Sequence, residues 1–422
     1  MSTPTTIEQW LGHIRLHSKY YQKHWGHWPA QGCALQDLPV VDVNQFWAGS
    51  HDLDAWEVLT APVQDALLYK TGGSTGQGKL SVYTQGEWHQ MVDCFGRSLS
   101  AQLGVGDRIA NLFFSGDLYA SFLFIHGALR SVEVPITEFP FTGSVDPDTL
   151  ADAVIAHRIN VLAGVPAQLL AVAGHLEQQG RTLPGVTTIL FGGEHLFENQ
   201  RPLLTRAFPR ARFASIGYAS VDAGLVGAST PDCDPGEHRV FDEQTRVEIV
   251  DELSGEVIEA CDRPGNLVVT NLSRTLMPIV RYPVGDRACW REAAGTPRRK
   301  FALHGRSAQS QRVRVGVMSL FPQQIDDISR RIGGDLQWQL VIKHVENHDR
   351  LVFKWVSAAP RKERGSLSLE LKAALTRQYP DMERLGLEVL ACSVTELERH
   401  PRSGKHLPII DQRIYDPARL AQ

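Results

Sequence analysis

NVLAGVPAQLLAVAGHLEQQGRTLPGVTTILF, residues 160–191, sets the rhythm that decides the fold. A short apolar run, NVLAGV (160–165), precedes a helix-length segment (166–179), and a second short apolar run, VTTILF (186–191), follows it. Strand-sized runs alternating with helices describe a parallel or mixed sheet covered by helices, an α/β fold. The alternation extends both ways, through IANLFF (109–114), VEVPI (132–136), a helix-length stretch at 148–157 and ARFASI (211–216). Upstream, Trp88, Met91, Val92, Phe95, Leu99 and Leu103 recur at helical spacing before Gly104, which predicts an amphipathic helix over 87–103 and its stop.

After about residue 240 the rhythm changes. RVEIVD (246–251) and NLVVTNL (266–272) are β-rich and punctuated by Gly and Pro, as in a β-subdomain over about 240–304. Past Gly305 the pattern is α+β: a helix after Pro322, strands QLVI (339–342) and LVFKWV (351–356), a helix near 366–378 and a strand near 386–394. The expected division is a large body at 1–304, a hinge at 305–315 and a smaller C-terminal domain at 316–422. A chain of 422 residues exceeds what one core supports, which agrees with such a division.

Composition places the chain among ordinary globular proteins, with 43% apolar and 21% charged residues. The net charge of −4 hides an asymmetry: from Arg298 onward 22 Lys and Arg face 14 Asp and Glu. The basic residues of this tail are spaced and mixed with acids, without an aromatic-basic RNA signature, so a nucleic-acid partner is not expected. Six cysteines at 33, 94, 233, 261, 289 and 392 form no C-x-x-C pair, which points to a reducing compartment. No apolar stretch has the length of a membrane span and the N-terminus lacks a secretory pattern, so the expected location is the cytoplasm, with no membrane partner.

The strongest local motif is YKTGGSTGQGK, Tyr69 to Lys79. Gly73 to Lys79 satisfies G-x4-G-K, but a Walker A loop needs Ser or Thr after the Lys and a helix beginning there. Here Leu80 follows, and LSVYT (80–84) reads as a strand. A loop of Thr71, Gly72, Gly73, Ser74, Thr75 and Gly76 between two strands offers backbone N–H groups and hydroxyls to phosphate oxygens, although a plain turn has the same composition.

That loop resembles the phosphate loop of adenylate-forming enzymes, the acyl-CoA synthetase and luciferase superfamily, and further motifs follow in that family's order. FGGEHL (191–196) resembles the adenine segment, and GYASVDAG (217–224) resembles Y-G-x-[ST]-E with Asp222 in place of Glu. PIVRYPVGD (278–286) resembles P-x-I-R-Y-x-T-G-D, and HGRS (304–307), FPQQI (321–325) and PRSGK (401–405) complete the series. Within the superfamily the closest resemblance is to phenylacetate-CoA ligases, through GEHRVFDEQTRVEIVD (236–251) and FPQQI; the YASVDAG variant is also similar to proteins of phenazine antibiotic pathways.

The resemblance implies ATP-dependent activation of a carboxylic acid, aromatic in kind, through an acyl-adenylate with release of pyrophosphate, followed by thioester formation with CoA. It implies ATP, Mg²⁺ and CoA as cofactors. Thr71–Gly76 and Lys79 would hold the phosphates, Gly192, Gly193 and Glu194 the adenine, and Asp286 with Arg306 the ribose. Asp222 would hold Mg²⁺, or else cap a strand end. Lys405, carried by a mobile lid, would be the catalytic cation, and Gly316 would line the CoA tunnel. Phe139, Phe141, Ser215, Ile216, Gly217 and Tyr218 are acyl-pocket candidates, with a core role for the two phenylalanines equally open.

Two departures weaken the thioester half. Ala308 and Gln309 stand where the family has an acidic pair, and SQRVRVGVMSLFP (310–322) is longer than the usual spacing. Transfer to a carrier-protein thiol or a partner enzyme is therefore an alternative, and a non-catalytic nucleotide- or acid-binding protein is a third. Cys233 with His238 is only half of a zinc site. The first 60 residues, HWGHW (24–28) included, have no functional reading, and the oligomeric state is not legible, although the resemblance allows a homodimer.

Overall fold

Four of the expected strands and one further edge strand assemble side by side in a parallel sheet, in the order Thr137–Phe139, Arg108–Leu112, Val161–Gly164, Thr188–Phe191 and Arg212–Ser215. The computed structural model describes residues 6–26, 34–70, 79–116, 118–193, 196, 200–252, 254–306, 313–315, 318–334, 336–345, 348–357, 363–393, 396–398 and 408–413. The two strands in the middle of the opening stretch are buried along their whole length, as the continuous apolar runs require of a sheet covered on both faces. Side chains alternate between two cores: Ile109, Val161, Ala163 and Leu190 on one face, Ala110, Leu162, Ile189 and Phe191 on the other.

One expectation is corrected. VEVPI (132–136) is not a strand; the sheet edge is the shorter Thr137–Phe139. Pro135 has no N–H to give a ladder, and its carbonyl instead accepts from Gly106 N, while Glu133 N donates to Ser100 Oγ.

The amphipathic helix runs over Gln85–Leu99 and closes with a 3-10 turn at Ser100–Gln102, just before Gly104. Thr84 and Glu87 form a capping box at its start, in which Thr84 Oγ1 accepts from Glu87 N and Glu87 Oε2 accepts from Thr84 N. Its buried face is the expected one, with Trp88, Met91, Val92, Phe95 and Leu99 all in the core, each stabilising by about 1.5–3 kcal/mol.

A second sheet of seven strands is ordered Thr245–Val250, Gly265–Asn271, Ile279–Trp290, Lys300–Arg306, Glu237–Val240, Gly224–Ala228 and Tyr218–Ser220. It curls, because Tyr218 on its last strand reaches Asp286 on its third. The N-terminal helices Ile7–His17, Lys19–Trp25 and Val43–Trp47 pack into one core with this sheet. Polar bonds reinforce the packing: Tyr21 Oη donates to Pro278 O at 2.9 Å, and Val41 N donates to Arg281 O at 3.0 Å.

From residue 313 onward the described residues form their own core, centred on Trp338, Leu340, Phe353 and Trp355. Four strands are ordered Glu388–Ala391, His348–Val356, Gln337–Val345 and Ile409–Asp411, with helices Pro322–Gly333 and Arg364–Gln378. Fully buried Gln339 clamps the main chain of residue 398, donating to its carbonyl at 2.9 Å and accepting from its N–H at 3.0 Å. The stretch that contains Lys405 therefore leaves a fixed point at 398 and re-enters a strand at 409.

Near the end of that strand, Asp349 accepts from His344 Nδ1 at 2.8 Å and from Arg413 at 2.9 Å, with all three side chains largely buried. Burial pushes the Asp349 carboxyl up, but the His344 and Arg413 bonds outweigh it and hold the group below its ordinary value of 3.8. The contribution is thus complete above the unfolded value and lost as pH falls through the folded one. Asp349→Asn should lower unfolding free energy by about 3 kcal/mol at pH 7, with the gap to wild type shrinking in denaturant titrations carried toward pH 3. An equal gap at both pH values would contradict this assignment.

Candidate active site

Ligands of open α/β sheets bind beyond the carboxyl ends of the strands, and two chain segments converge there. Strand Thr188–Phe191 runs into Gly192 and Gly193; strand Arg212–Ser215 runs into Ile216, Gly217 and Tyr218. They approach closely, since a Cβ on Gly192 would stand 2.5 Å from Ile216 Cγ2, and Ile216 N donates to Phe191 O at 2.8 Å. Gly193 follows with φ +77°. Gly217 has φ +120°, and a Cβ there would meet the Phe95 ring at 2.8 Å, so both backbone angle and space demand glycine.

The chain reversal at Gly217 aims Tyr218. Ser215 Oγ accepts from Gly217 N at 3.1 Å and lies 3.2 Å from His238 Nε2, whose ring stacks on Phe301. Tyr218 Oη then donates to Asp286 Oδ2 at 2.5 Å, joining two motifs 68 residues apart. Asp286 pairs in register with Arg306 on the neighbouring strand, so those two expected ribose positions are also adjacent.

Asp222 lies in the loop that follows Tyr218–Ser220. Its Oδ1 accepts from Ser220 Oγ at 2.6 Å and from Ala223 N at 3.0 Å; its Oδ2 accepts from Tyr282 Oη at 3.0 Å. A carboxylate offers about four acceptor sites, and these bonds use three, leaving one for a hard cation. Among the described residues no group of three or more His, Cys, Asp and Glu could hold a metal, so Mg²⁺ here would take its other ligands from phosphates and water. The donor set fits that ion. Burial, and next the Asp222 charge, push the Tyr282 hydroxyl well above its ordinary value of 10.

Two residues outside the motifs add support: Arg274 holds this loop, and Glu87 holds the segment that follows Arg274. Arg274, 1% exposed, donates to Asp222 O at 3.1 Å and Val82 O at 2.8 Å, with its guanidinium 3.6 Å from the Tyr83 ring centroid. Glu87 Oε1 accepts from Thr275 N, Thr275 Oγ1 and Leu276 N at 2.6, 2.7 and 2.9 Å. Only Glu87 had a sequence signal, the T-x-x-E box, and that signal concerns the helix rather than the site. His238 was visible as part of GEHRVF but was weighed only against zinc; its ring instead faces Ser215, while Cys233 Sγ contacts Thr230 Oγ1 at 3.3 Å.

The acyl-pocket candidates divide. Ser215, Ile216, Gly217 and Tyr218 lie beside Gly192 and Asp286, the residues expected at the nucleotide, whereas Phe139 and Phe141 pack with the core on the other sheet face from Ile216. Phe139 also stacks on His157 and receives the Arg108 guanidinium at 5.1 Å. Lys79 places its Nζ 5.4 Å from the Trp47 ring centroid. Thr71, Gly72, Gly73, Ser74, Thr75, Gly76, Glu194, Gly316 and Lys405, with Ala308 and Gln309, lie outside the described residues, as does the side chain of Arg306.

Residues 33–277 match the AMP-binding enzyme family, which is more than half of the sequence. The chain belongs to that family. Phenylacetate-coenzyme A ligase of Pseudomonas putida is 24% identical over 307 residues, 70% of this chain and 68% of its own length. The Aromatoleum evansii enzyme of the same name is 24% identical over 274 residues, 62% of this chain and 59% of its own. Among solved structures, 2-hydroxyisobutyryl-CoA ligase in complex with its acyl-AMP and CoA superposes with a TM-score of 0.77 at 17% identity, over 98% of this chain and 90% of that one. Amide bond synthetase McbA from Marinactinospora thermotolerans gives 0.54 at 15% identity, over 81% and 68%. The family member thus has the fold expected of an adenylate-forming enzyme, and among the described residues no helix is long and apolar enough to cross a membrane.

Gly217→Ala should lower stability by about 1–3 kcal/mol in denaturant unfolding and raise the KM for ATP, because the new methyl displaces either Phe95 or the segment that aims Tyr218. Wild-type values for both would show that the reversal at 217 does not position the site.

Proposed function

We propose that this protein activates an aromatic carboxylic acid with ATP and transfers the acyl group to CoA. The observation that carries the reading is the meeting of Tyr218 and Asp286, with Asp222 four residues beyond the tyrosine, at the carboxyl ends of the parallel strands. The phenylacetate ligases named above support an aromatic acid, and the CoA ligase fold supports a thioester product.

In the first half-reaction a carboxylate oxygen attacks the α-phosphorus, the bond to the bridging oxygen breaks and pyrophosphate leaves. The protein needs no nucleophile for this; it must hold two anions together and meet the charge that builds up in flight. In this reading Thr71–Gly76 and Lys79 hold the outer phosphates, Gly192, Gly193 and Glu194 flank adenine, and Asp286 accepts from the ribose hydroxyls beside Arg306. Asp222 would hold Mg²⁺, which when bound would supply neutralising charge to the phosphates. Lys405 bridges the carboxylate and α-phosphate, seven residues beyond position 398, where Gln339 clamps the main chain. Ser215, Ile216, Gly217 and Tyr218 line the acyl site, and Phe139 and Phe141, packed on the other sheet face, take the core role instead.

In the second half the CoA sulfur attacks the acyl carbon, its proton passes to solvent, the carbon–oxygen bond to phosphate breaks and AMP leaves. The domain 316–422, turning about 305–315, brings Gly316 to the tunnel. The departures at Ala308 and Gln309 leave a carrier-protein thiol or a partner enzyme as the alternative acceptor for the same adenylate.

ATP–pyrophosphate exchange across a panel of aromatic and aliphatic acids, followed by CoA or pantetheinyl carrier protein, tests the proposal. Exchange should rise at least ten-fold with one aromatic acid, and acyl-CoA should form. No exchange with any acid would remove the enzymatic reading; exchange without acyl-CoA would move the acceptor to the carrier. Lys405→Ala should cut exchange by about 10²–10³-fold with ATP affinity within about two-fold of wild type, because its charge meets the transition state rather than the bound nucleotide.

A further inference from the structure

The N-terminal helix Val43–Trp47, capped by Asp42, seats Trp47 against the strand that carries Asp286. Trp47 Nε1 donates to Tyr282 Oη at 3.0 Å, and Tyr282 Oη donates to Asp222 Oδ2 at 3.0 Å. The direction of both bonds is fixed by chemistry. An indole N–H can only donate, and a phenol that accepts from it has its single proton aimed onward at the carboxylate. The relay is immobile: Trp47 is 8% and Tyr282 2% exposed. Trp47 stacks on Trp56 at 5.4 Å, and Phe46 meets Trp47 and Tyr282 edge-on at 5.1 and 5.4 Å. On the other side of the carboxylate, Ser220 and Ala223 N occupy Oδ1.

We propose that Trp47 and Tyr282 are positioning residues for the Mg²⁺ carboxylate, so that the N-terminal segment completes the metal site through a Trp–Tyr–Asp relay. The inference rests on the reading of Asp222 as the Mg²⁺ ligand. An aspartate that stands where the family places glutamate has one fewer methylene, and its reach depends on where its carboxylate is pinned. Tyr282 pins Oδ2 while leaving that oxygen a second lone pair, which is how outer partners orient a metal ligand. The same indole also lies against Lys79, so one N-terminal side chain touches both Lys79 and Tyr282, the partner of Asp222.

The test is metal binding as well as turnover. Mn²⁺ binding to the full-length protein with saturating ATP, followed by the loss of its free EPR signal, is measured for wild type, Tyr282→Phe, Trp47→Phe and Asp222→Asn, with thermal unfolding of each. Tyr282→Phe should weaken Mn²⁺ about 10–100-fold. Trp47→Phe, which leaves the phenol in place but frees its orientation, should weaken it in the same direction by less. Mg²⁺ titrations of pyrophosphate exchange should shift in parallel, with ATP affinity at saturating Mg²⁺ within about two-fold. A lowered melting temperature with unchanged Mn²⁺ affinity in both relay variants would overturn the inference and leave only a packing role. If Asp222→Asn keeps wild-type Mn²⁺ affinity, the metal assignment fails and the relay with it. If Asp222→Asn alone loses the metal, the assignment stands and the relay is wrong.

Discussion

The site depends on a buried ion pair behind it. Arg281 and Glu248, at 5% and 11% side-chain exposure, meet at 3.0 Å, and the same guanidinium donates to the carbonyls of Gln36 and Leu38. Its backbone has φ +48°, with its N–H on Thr270 Oγ1 and its carbonyl taking Val41 N. One residue thus fastens the N-terminal segment and two neighbouring strands to the strand Ile279–Trp290, directly before Tyr282 and five residues before Asp286. A buried pair of this kind adds little net stability, because desolvating both charges consumes most of the attraction. Burial indeed outweighs Arg281 in raising the Glu248 carboxyl. What the pair supplies is register. Strands Gly265–Asn271 and Ile279–Trp290 shift against each other between Val269 and Asn271, and a slip at that irregularity would turn Tyr282 and Asp286 away from their partners.

A second support enters from the opposite side. Arg274 and Glu87 are buried, and both bond main-chain groups of irregular segments, Arg274 at the Asp222 carbonyl and Glu87 at the amides of Thr275 and Leu276. Buried loops need such partners, because an unpaired amide there costs about 1–3 kcal/mol. The loop of Asp222 is accordingly as fixed as a strand: Arg274 holds its 222 carbonyl, Tyr83 Oη its 221 carbonyl and Asn271 its 223 carbonyl. A metal ligand on that loop inherits the rigidity of three separate elements.

These supports explain which parts were legible. Period and run length reveal elements whose burial repeats, so the parallel strands, the helix at 85–99 and the C-terminal strands were readable to within a few residues. VEVPI looked the same by composition and failed because one missing N–H at Pro135 decides an edge. Motif order reached Tyr218, Asp222 and Asp286, since their chemistry requires those residue types. It could not reach Arg274, His238 or Trp47, whose roles come from partners 23 to 235 residues away and leave no periodic trace. The N-terminal segment was opaque for the same reason: its aromatic residues face a sheet that begins almost two hundred residues later.

Both carboxylates of the site already hold protein donors, Asp286 from Tyr218 and Asp222 from Ser220 and Tyr282. In the proposed reading, nucleotide and metal would therefore not meet bare charges that must first be dehydrated and oriented. They would add to groups whose direction is already set, or exchange one hydroxyl for another at Asp286. Such exchange yields modest binding energy, because each new bond replaces an old one. It also removes the reorganisation that a solvated carboxylate would need as charge moves from carboxylate to pyrophosphate. For a reaction in which the protein supplies no nucleophile, fixed dipoles and cations are the main means of lowering the barrier, and a site braced from two sides suits that chemistry.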